Sequence, residues 1–556
     1  MKRRLQHLII FLNIITGTLL AQTIQWVTTA GGPGDDGGYK MLMDKSDNTY
    51  LTGRFRENAT FGNFNLVSNN SEADIFVAKF NPSGKVDWVL SCGGAHNSVV
   101  GIGLDNSGNI YISGFFEGNI HFGDISIQSI GDRDAFVAKL NSSGAWQWAI
   151  SGGGQLGDYA WTSVTDTIGN TYVAGTFRGS ATFGQVTLSC AGEYDLFVAK
   201  CNSSGIWEWA QRAGGSVGEW PLSCGIDVTG NIYIAGYWES AGNTQFGDFQ
   251  LVSSGAAMNM FIAKCKPTGE WEWAKQAESS GMNALESMVV DNYGNSYVLV
   301  NFQENLTFGG KALIPKRGAK AYSDKFLAKL NATGELDWVR QIYSNDNSFY
   351  INGLSLDANG NTYIYGKFRF NITFDNTMFE NNGGNYIPFW TKFNSLGNFQ
   401  WLKKFNAQKP NSGIEIYAVC ANNSNDIYLG GYFYGNCVLG DKTLSTAGRN
   451  DIFLMKVSTD EASGINLNVE SDNLVEVFPN PSLNNEINVL FESNGIENTI
   501  IKLIDSNGKM VYIDYQSHVG VNHLKINMDD YRPGIYFLQI TTAEQNYNRK
   551  IIYTPN

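Results

Sequence analysis

The chain has 556 residues, too many for one compact core, so two or more folded units are expected. Glycine (62 residues) and aromatics (13%) are abundant while charged residues are 16%, which suits many strands and tight turns and argues against disorder. The net charge of −13 excludes nucleic acid and anionic membrane surfaces as broad partners, because both need clustered Lys and Arg to displace counterions; neutral glycans, proteins and cations stay open.

Residues 1–21 read as an export signal: Lys2, Arg3 and Arg4, an apolar run from Leu8 to Leu20, then Ala21-Gln22 as the cleavage point. The run is too short to span about 30 Å of hydrocarbon, and no later stretch reads as a transmembrane segment. No Cys follows it, which argues against a lipid-modified N-terminus.

From residue 22 to 457 one unit is restated seven times: a Trp strand, Asp-x-x-Gly-Asn-x-Tyr, Gly-x-aromatic, Phe-Gly, and Asp-x-Phe-Val-Ala-Lys. The Trp positions are Trp26, Trp88, Trp148, Trp209, Trp273, Trp338 and Trp401. The hairpin motif recurs at Asp105 to Tyr111, Asp166 to Tyr172, Asp227 to Tyr233, Asp291 to Tyr297 and Asp357 to Tyr363, with worn copies at Asp44 to Tyr50 and Ala421 to Tyr428. Apolar and polar residues alternate on both sides of Gly-Asn, the pattern of a hairpin whose turn needs positive φ. A second hairpin joins Phe-Val-Ala-Lys, through turns such as Asn141 to Gly144, to the Trp strand. Four strands per unit at this period predict a seven-bladed β-propeller, with the Phe-Gly segment an excursion between the second and third strands. The first Trp strand has no blade before it and Lys456 no Trp strand after it, so residues 23–29 are expected to complete the seventh blade and close the ring.

The Asp-x-x-Gly-Asn-x-Tyr and Asp-x-Phe-Val-Ala-Lys motifs, with the Gly two residues after the Tyr, resemble the SBBP-type β-propeller repeat of bacterial secreted proteins. That resemblance implies a propeller and an extracellular location and brings no common catalytic residues.

A polar linker, 458–473, precedes a tail of different character, 474–556, which reads as an Ig-like β-sandwich of about seven short strands. Its motifs are Phe478-Pro479-Asn480-Pro481, the Asp505 to Val511 stretch with Gly508, and Arg532-Pro533-Gly534-Ile535-Tyr536 followed by Lys550. In this order they resemble the type A C-terminal sorting domain of the type IX secretion system, Tyr531 standing where that family more often has Leu. The resemblance implies contact with that machinery, passage across the outer membrane, and release or attachment at the cell surface.

Comparing the repeats with one another separates scaffold from site. The aromatic after Gly-x (Phe55, Phe116, Phe177, Trp238, Phe302, Phe368, Phe433) barely changes and is expected to pack between blades. The turn Asp reads as an Asx-turn acceptor rather than a calcium ligand, since no further oxygen ligands recur with it. The variable connections fall on one face of the disc. There the sequence offers Arg56, Arg178 and Arg369 after the second strands, Asp158 with Tyr159 and Trp161, Glu219 with Trp220, and Asp346 with Tyr350. Aromatics beside carboxylates and amides suit a sugar ring, and these residues are the candidate ligand site; the alternative is a solvated, merely structural set of loops.

Enzyme signatures are thin. Gly214-Gly215-Ser216-Val217-Gly218 matches a nucleophile-elbow pattern without the strand-to-helix context. No catalytic residue, metal ligand or cofactor is assigned, although Asp158 and Glu219 remain the pair to consider for a hydrolase or lyase. Seven cysteines lie in the repeats, an odd number that cannot all pair internally; free buried thiols are expected, with Cys420 and Cys437 the one disulfide to test. The expectation is a monomeric secreted or surface-attached propeller that binds a glycan or protein, with a polysaccharide-cleaving enzyme or a passive envelope scaffold as alternatives.

Overall fold

The computed structural model describes residues 23–68, 72–239, 242–253, 258–279, 281–316, 323–345, 348–375, 377–381, 384–405, 411–422, 426–439, 442–458, 475–478, 486–493, 499–505, 509–516, 520–541 and 546–553. The expected export signal and linker, Asp346, Pro479, Asn480, Pro481 and Gly508 lie outside the described residues. The chain divides into two compact units, Met1–Asp460 and Glu461–Asn556. Among the described residues every regular element is a strand, so the molecule is all-β, and no helix is long and apolar enough to cross a membrane.

Each repeat of the first unit folds as four antiparallel strands. In repeat 3, for example, Tyr159–Thr165, Thr171–Phe177, Asp195–Cys201 and Trp207–Gly215 pair in chain order. The first strands of the other repeats begin at Gly37, within Val86–Leu104, and at Glu219, Asn283, Phe349 and Gly413. The fourth strand of repeat 7 comes from the other end of the segment: Thr23–Gly31 pairs with Asp451–Ser458, Thr28 opposite Leu454.

The turn motif is explained atom by atom. In repeat 2, Asp105 Oδ1 accepts the backbone N–H of Ser107 and Asn109, and Oδ2 accepts Asn109 Nδ2 at 2.8 Å and the Tyr111 hydroxyl at 3.0 Å. One carboxylate therefore holds the turn, and Gly108 takes the φ of +77° that a side chain resists. In the worn first copy Asp47 adopts φ +60° in the glycine position, and in the last Asn422 replaces the Asp and accepts the Asp426 N–H. The Lys of Phe-Val-Ala-Lys crosses over the Tyr of the same repeat, as Lys139 does over Tyr111 at 5.1 Å.

The Trp strands link one repeat to the next. Trp148 Nε1 donates to Ser203 O of repeat 3, Trp209 to Pro267 O of repeat 4, and Trp26 to Pro82 O of repeat 1. Each indole lies on the turn glycine beyond it: a Cβ added at Gly205 would stand 2.8 Å from Trp148. That glycine is required twice, for its φ of +80° and for the ring above it. The Gly-x-aromatic residues are fully buried in clusters that span successive repeats, Phe116 with Ile75 and Val77, Trp238 with Leu196 and Val198. Each such ring contributes about 1.5–3 kcal/mol of burial.

The Phe-Gly excursion has a role that its motif alone did not reveal. It folds as a short hairpin that bonds to the end of the preceding repeat's fourth strand: Ala30 pairs with Phe61, Gly214 with Gln245, and Ile342 with Phe374. The first strands also lie side by side in sequence order, and Gly37–Met43 lies against both Val86–Leu104 and Gly413–Ala421.

All seven cysteines are free. The Cys420 to Cys437 disulfide is not formed, because the two thiols serve different surroundings: Cys420 Sγ points to Met41 O, and Cys437 Sγ to Gly413 O and Tyr434 O.

In the second unit two antiparallel sheets share one core. Val475–Phe478, Glu486–Ser493 and Gly520–Asn527 form one; Met510–Gln516, Thr499–Asp505, Gly534–Thr541 and Asn546–Tyr553 form the other. Ile487 and Val489 meet Ile501, Leu503, Leu538 and Ile551 between them. Gly534 opens the third strand of the larger sheet, and Lys550 lies on its last. Tyr536 is buried, its hydroxyl donating to Arg532 O at 2.6 Å, and Tyr531 packs edge-on against it.

Candidate functional site: the variable-loop face and the cavity beside it

Every first strand carries a β-bulge at the same place. Register shifts single out Tyr39, Val100, Trp161, Leu222, Glu286, Asn352 and Tyr417, each five residues before the turn Asp or Asn. A bulge leaves one residue out of the ladder and re-aims its side chain. These seven are chemically unlike one another where the scaffold positions hardly vary. All but Trp161 line a cavity of about 700 Å³ to which every first strand contributes. Among the described residues Lys40 is its one cationic lining residue. Burial pushes the thiols of Cys224 and Cys420 up to about 12, so neither is a thiolate nucleophile at neutral pH.

The predicted carboxylates are placed differently from the predicted aromatics. Asp158 and Glu219 are both fully buried. Asp158 Oδ1 accepts the Arg178 backbone N–H, as Asp36 accepts that of Arg56, which ties the start of one strand to the end of the next. Around Gly153 the Asp158 carboxyl lies against Asp134 of the preceding repeat, and around Gly214 the Glu219 carboxyl lies against Asp195. Burial, with the neighbouring carboxylate adding to it, pushes Asp158 up to about 7 and Glu219 up to about 8. Neither side chain is exposed to a soluble ligand.

The aromatics Tyr159, Trp161 and Trp220 come together. Tyr159 and Trp161 stack at 5.6 Å with 15° between planes, and Trp220 lies 5.9 Å from Trp161. Phe115 extends the group at one end, 5.2 Å from Tyr159, and Tyr194 at the other, 5.3 Å from Trp220. All five rings are half-buried, so each keeps surface in solvent. Phe115 and Tyr194 were not singled out from sequence, because they lie in the second strand of repeat 2 and the connection after Cys190 of repeat 3, outside the loops compared. Tyr350 is exposed and belongs to a separate pair with Tyr386, Lys367 lying over both rings.

The three arginines stand at equivalent strand ends in different surroundings. Arg178 lies over Tyr194 at 5.6 Å. Arg369 donates through Nε to Gly384 O and lies over Phe370. Arg56 lines a groove of about 550 Å³ with Tyr39, Arg54, Glu72, Phe115 and Arg133, none of which the sequence marked for the ligand site. Among the described residues no group of three or more His, Cys, Asp or Glu side chains is arranged to hold a metal.

Residues 476–554 match the family described as the secretion system C-terminal sorting domain. The chain carries a sorting tail. That tail supports export through the type IX secretion machinery to the cell surface or the extracellular space, and implies contact with that machinery. A stretch of 336 residues, 48% of the chain, is 22% identical to the uncharacterized WD repeat-containing protein L264 of Acanthamoeba polyphaga mimivirus. The chain spans 24% of that relative's length, and the likeness hints at propeller repeats. A crystal structure of a protein of unknown function from Dyadobacter fermentans DSM 18053 superposes with a TM-score of 0.35 at 8% identity, covering 79% of this chain and 99% of that one.

Proposed function

We propose that the first unit is a closed seven-bladed propeller of SBBP-type repeats that, once exported by its sorting tail, binds a glycan on its variable-loop face. Three features support closure: the pairing of Thr23–Gly31 with Asp451–Ser458, the side-by-side order of the first strands, and their shared cavity. The observation that carries the binding reading is the run of half-buried rings Phe115, Tyr159, Trp161, Trp220 and Tyr194 across three successive repeats. A monomer has no need to leave five touching rings partly in water, and a pyranose has an apolar face that stacks on such rings.

The protein acts as a binder rather than an enzyme in this reading. Its two best-placed acids for a glycosidase, Asp158 and Glu219, are enclosed between repeats. The test is to present the full chain with a broad panel of soluble polysaccharides and surface glycans, scoring retention and newly formed reducing ends. Retention without cleavage supports the reading. New reducing ends would replace it with a hydrolase or lyase, and silence on both would point to a protein partner or a passive scaffold.

A further inference from the structure

We infer that the glycan is an acidic polysaccharide whose carboxylate or sulfate groups seat in the groove between repeats 1 and 2, where Arg54, Arg56 and Arg133 converge. The inference rests on the glycan-binding reading and deepens it.

The groove runs against the charge of the chain. The whole sequence has 39 Lys and Arg against 52 Asp and Glu, yet the lining of this groove of about 550 Å³ holds three arginines and one carboxylate, Glu72. Asp35 and Glu117 stand 3.6 Å from Arg54 and Arg133, so within the screening length of about 8 Å three arginines face three carboxylates, and Arg56 is the cation that no carboxylate pairs among the described residues.

The arginines are also underused. Arg56 is exposed and has no carboxylate within 4.0 Å among the described residues. Arg54 makes one long ion pair, 3.6 Å to Asp35, and Arg133 one of the same length to Glu117. Arg133 also donates through Nη1 to the Tyr159 hydroxyl at 3.3 Å, and its Nε is buried. A guanidinium carries five N–H donors in a planar fork that matches a carboxylate or sulfate edge, and Arg56 presents that fork to the groove with Arg54 and Arg133 flanking it. Two of the forks are held by rings beneath them, Arg54 over Tyr39 at 5.6 Å and Arg133 over Tyr159 at 5.7 Å. Such stacking limits the rotamer freedom lost on binding.

The groove opens onto the aromatic run rather than standing apart from it. Phe115 lines the groove and touches both Tyr159 and Trp161, and Arg178 over Tyr194 continues the alternation of cation and ring at the far end. A polymer with a ring face and an acid on each sugar matches that alternation. The other cationic pocket, about 280 Å³ around Lys367 and Arg369, is less suited, because Lys367 is paired with Glu415 and Arg369 is bonded to Gly384 O.

The experiment measures binding of the full chain to polygalacturonate and alginate, to their methyl-esterified forms, to dextran and dextran sulfate, and to poly-glutamate, at low and high salt. The expected result is retention of at least one acidic polysaccharide, loss of that retention on esterification or desulfation, and a roughly tenfold weakening by Arg56→Gln, the scale of one charge-assisted contact. Arg54→Gln should weaken it similarly, which covers the case that one variant fails to fold. Equal binding of esterified and acidic forms overturns this inference and leaves the glycan reading standing. Binding of acidic polymers that neither arginine variant alters also overturns it. Retention of poly-glutamate alone would assign the groove to an acidic peptide, and no retention of any polysaccharide would remove the glycan reading as well.

Discussion

Replacing Glu219 by Gln should stabilise the protein at alkaline pH and leave it nearly unchanged at pH 5. The Glu219 carboxyl is fully buried, and Asp195 lies across Gly214 from it. Burial, reinforced by that neighbour, raises its pKa from 4.5 to about 8. The folded protein therefore keeps a proton that the unfolded chain has released, and stability falls as pH rises from about 4.5 to about 8 and is flat beyond. The full shift corresponds to about 5 kcal/mol, and relaxation around the site reduces the observable effect to about 2–3 kcal/mol. Gln keeps the shape and has no charge to bury. The assay is thermal unfolding of the two proteins at pH 5, 6.5, 8 and 9, where the Tm of the variant should draw ahead by about 3–5 °C between pH 5 and 9. Asp36, Asp134 and Asp158 titrate in both proteins, so their contribution cancels in the difference. A Tm difference that does not change with pH, or a variant destabilised at pH 9, would refute the reasoning.

Gly205→Ala should cost about 2–3 kcal/mol, since the methyl group meets Trp148 at 2.8 Å on a backbone with φ of +80°. Gly118→Ala, at φ +71° with nothing within 4 Å, isolates the backbone part at about 1 kcal/mol, and equal losses of Tm would remove the indole from the account. Deleting 474–556 should leave the repeats in the periplasm, read by cell fractionation; unchanged export would sink the sorting role. A thiol titration should count seven free thiols in denaturant and slow reaction of Cys224 and Cys420 in the native protein, whereas fewer than seven would reveal a bridge.

What repeats seven times was legible in the sequence. The Asp-x-x-Gly-Asn-x-Tyr turn, the four-strand unit and the burial of Phe116 and its equivalents all follow from periodicity and turn chemistry. The sequence places Tyr159, Trp161 and Trp220 in the connections of neighbouring repeats, but the contact between their rings was not legible, because it depends on where each strand bulges. The burial of Asp158 and Glu219 was not legible either, because a carboxylate in a glycine-rich connection reads as solvated until the preceding repeat's Asp134 or Asp195 is brought against it. Nor was the partner of the Phe-Gly hairpin, which lies on a different repeat from the motif. The bulged residues left a signal that went unread. Tyr39 and Tyr417 stand at the same offset from the turn as Trp161, where comparison of loops alone does not look.

Glycan retention by the full chain, measured beside Trp161→Ala and Trp220→Ala, tests the binding surface directly. On the glycan reading each ring stacks on a sugar, so each variant should lose about tenfold in affinity at a temperature where its native fold, checked by its own unfolding curve, is fully populated. Undiminished retention by both variants would place the ligand elsewhere on the protein and contradict the account.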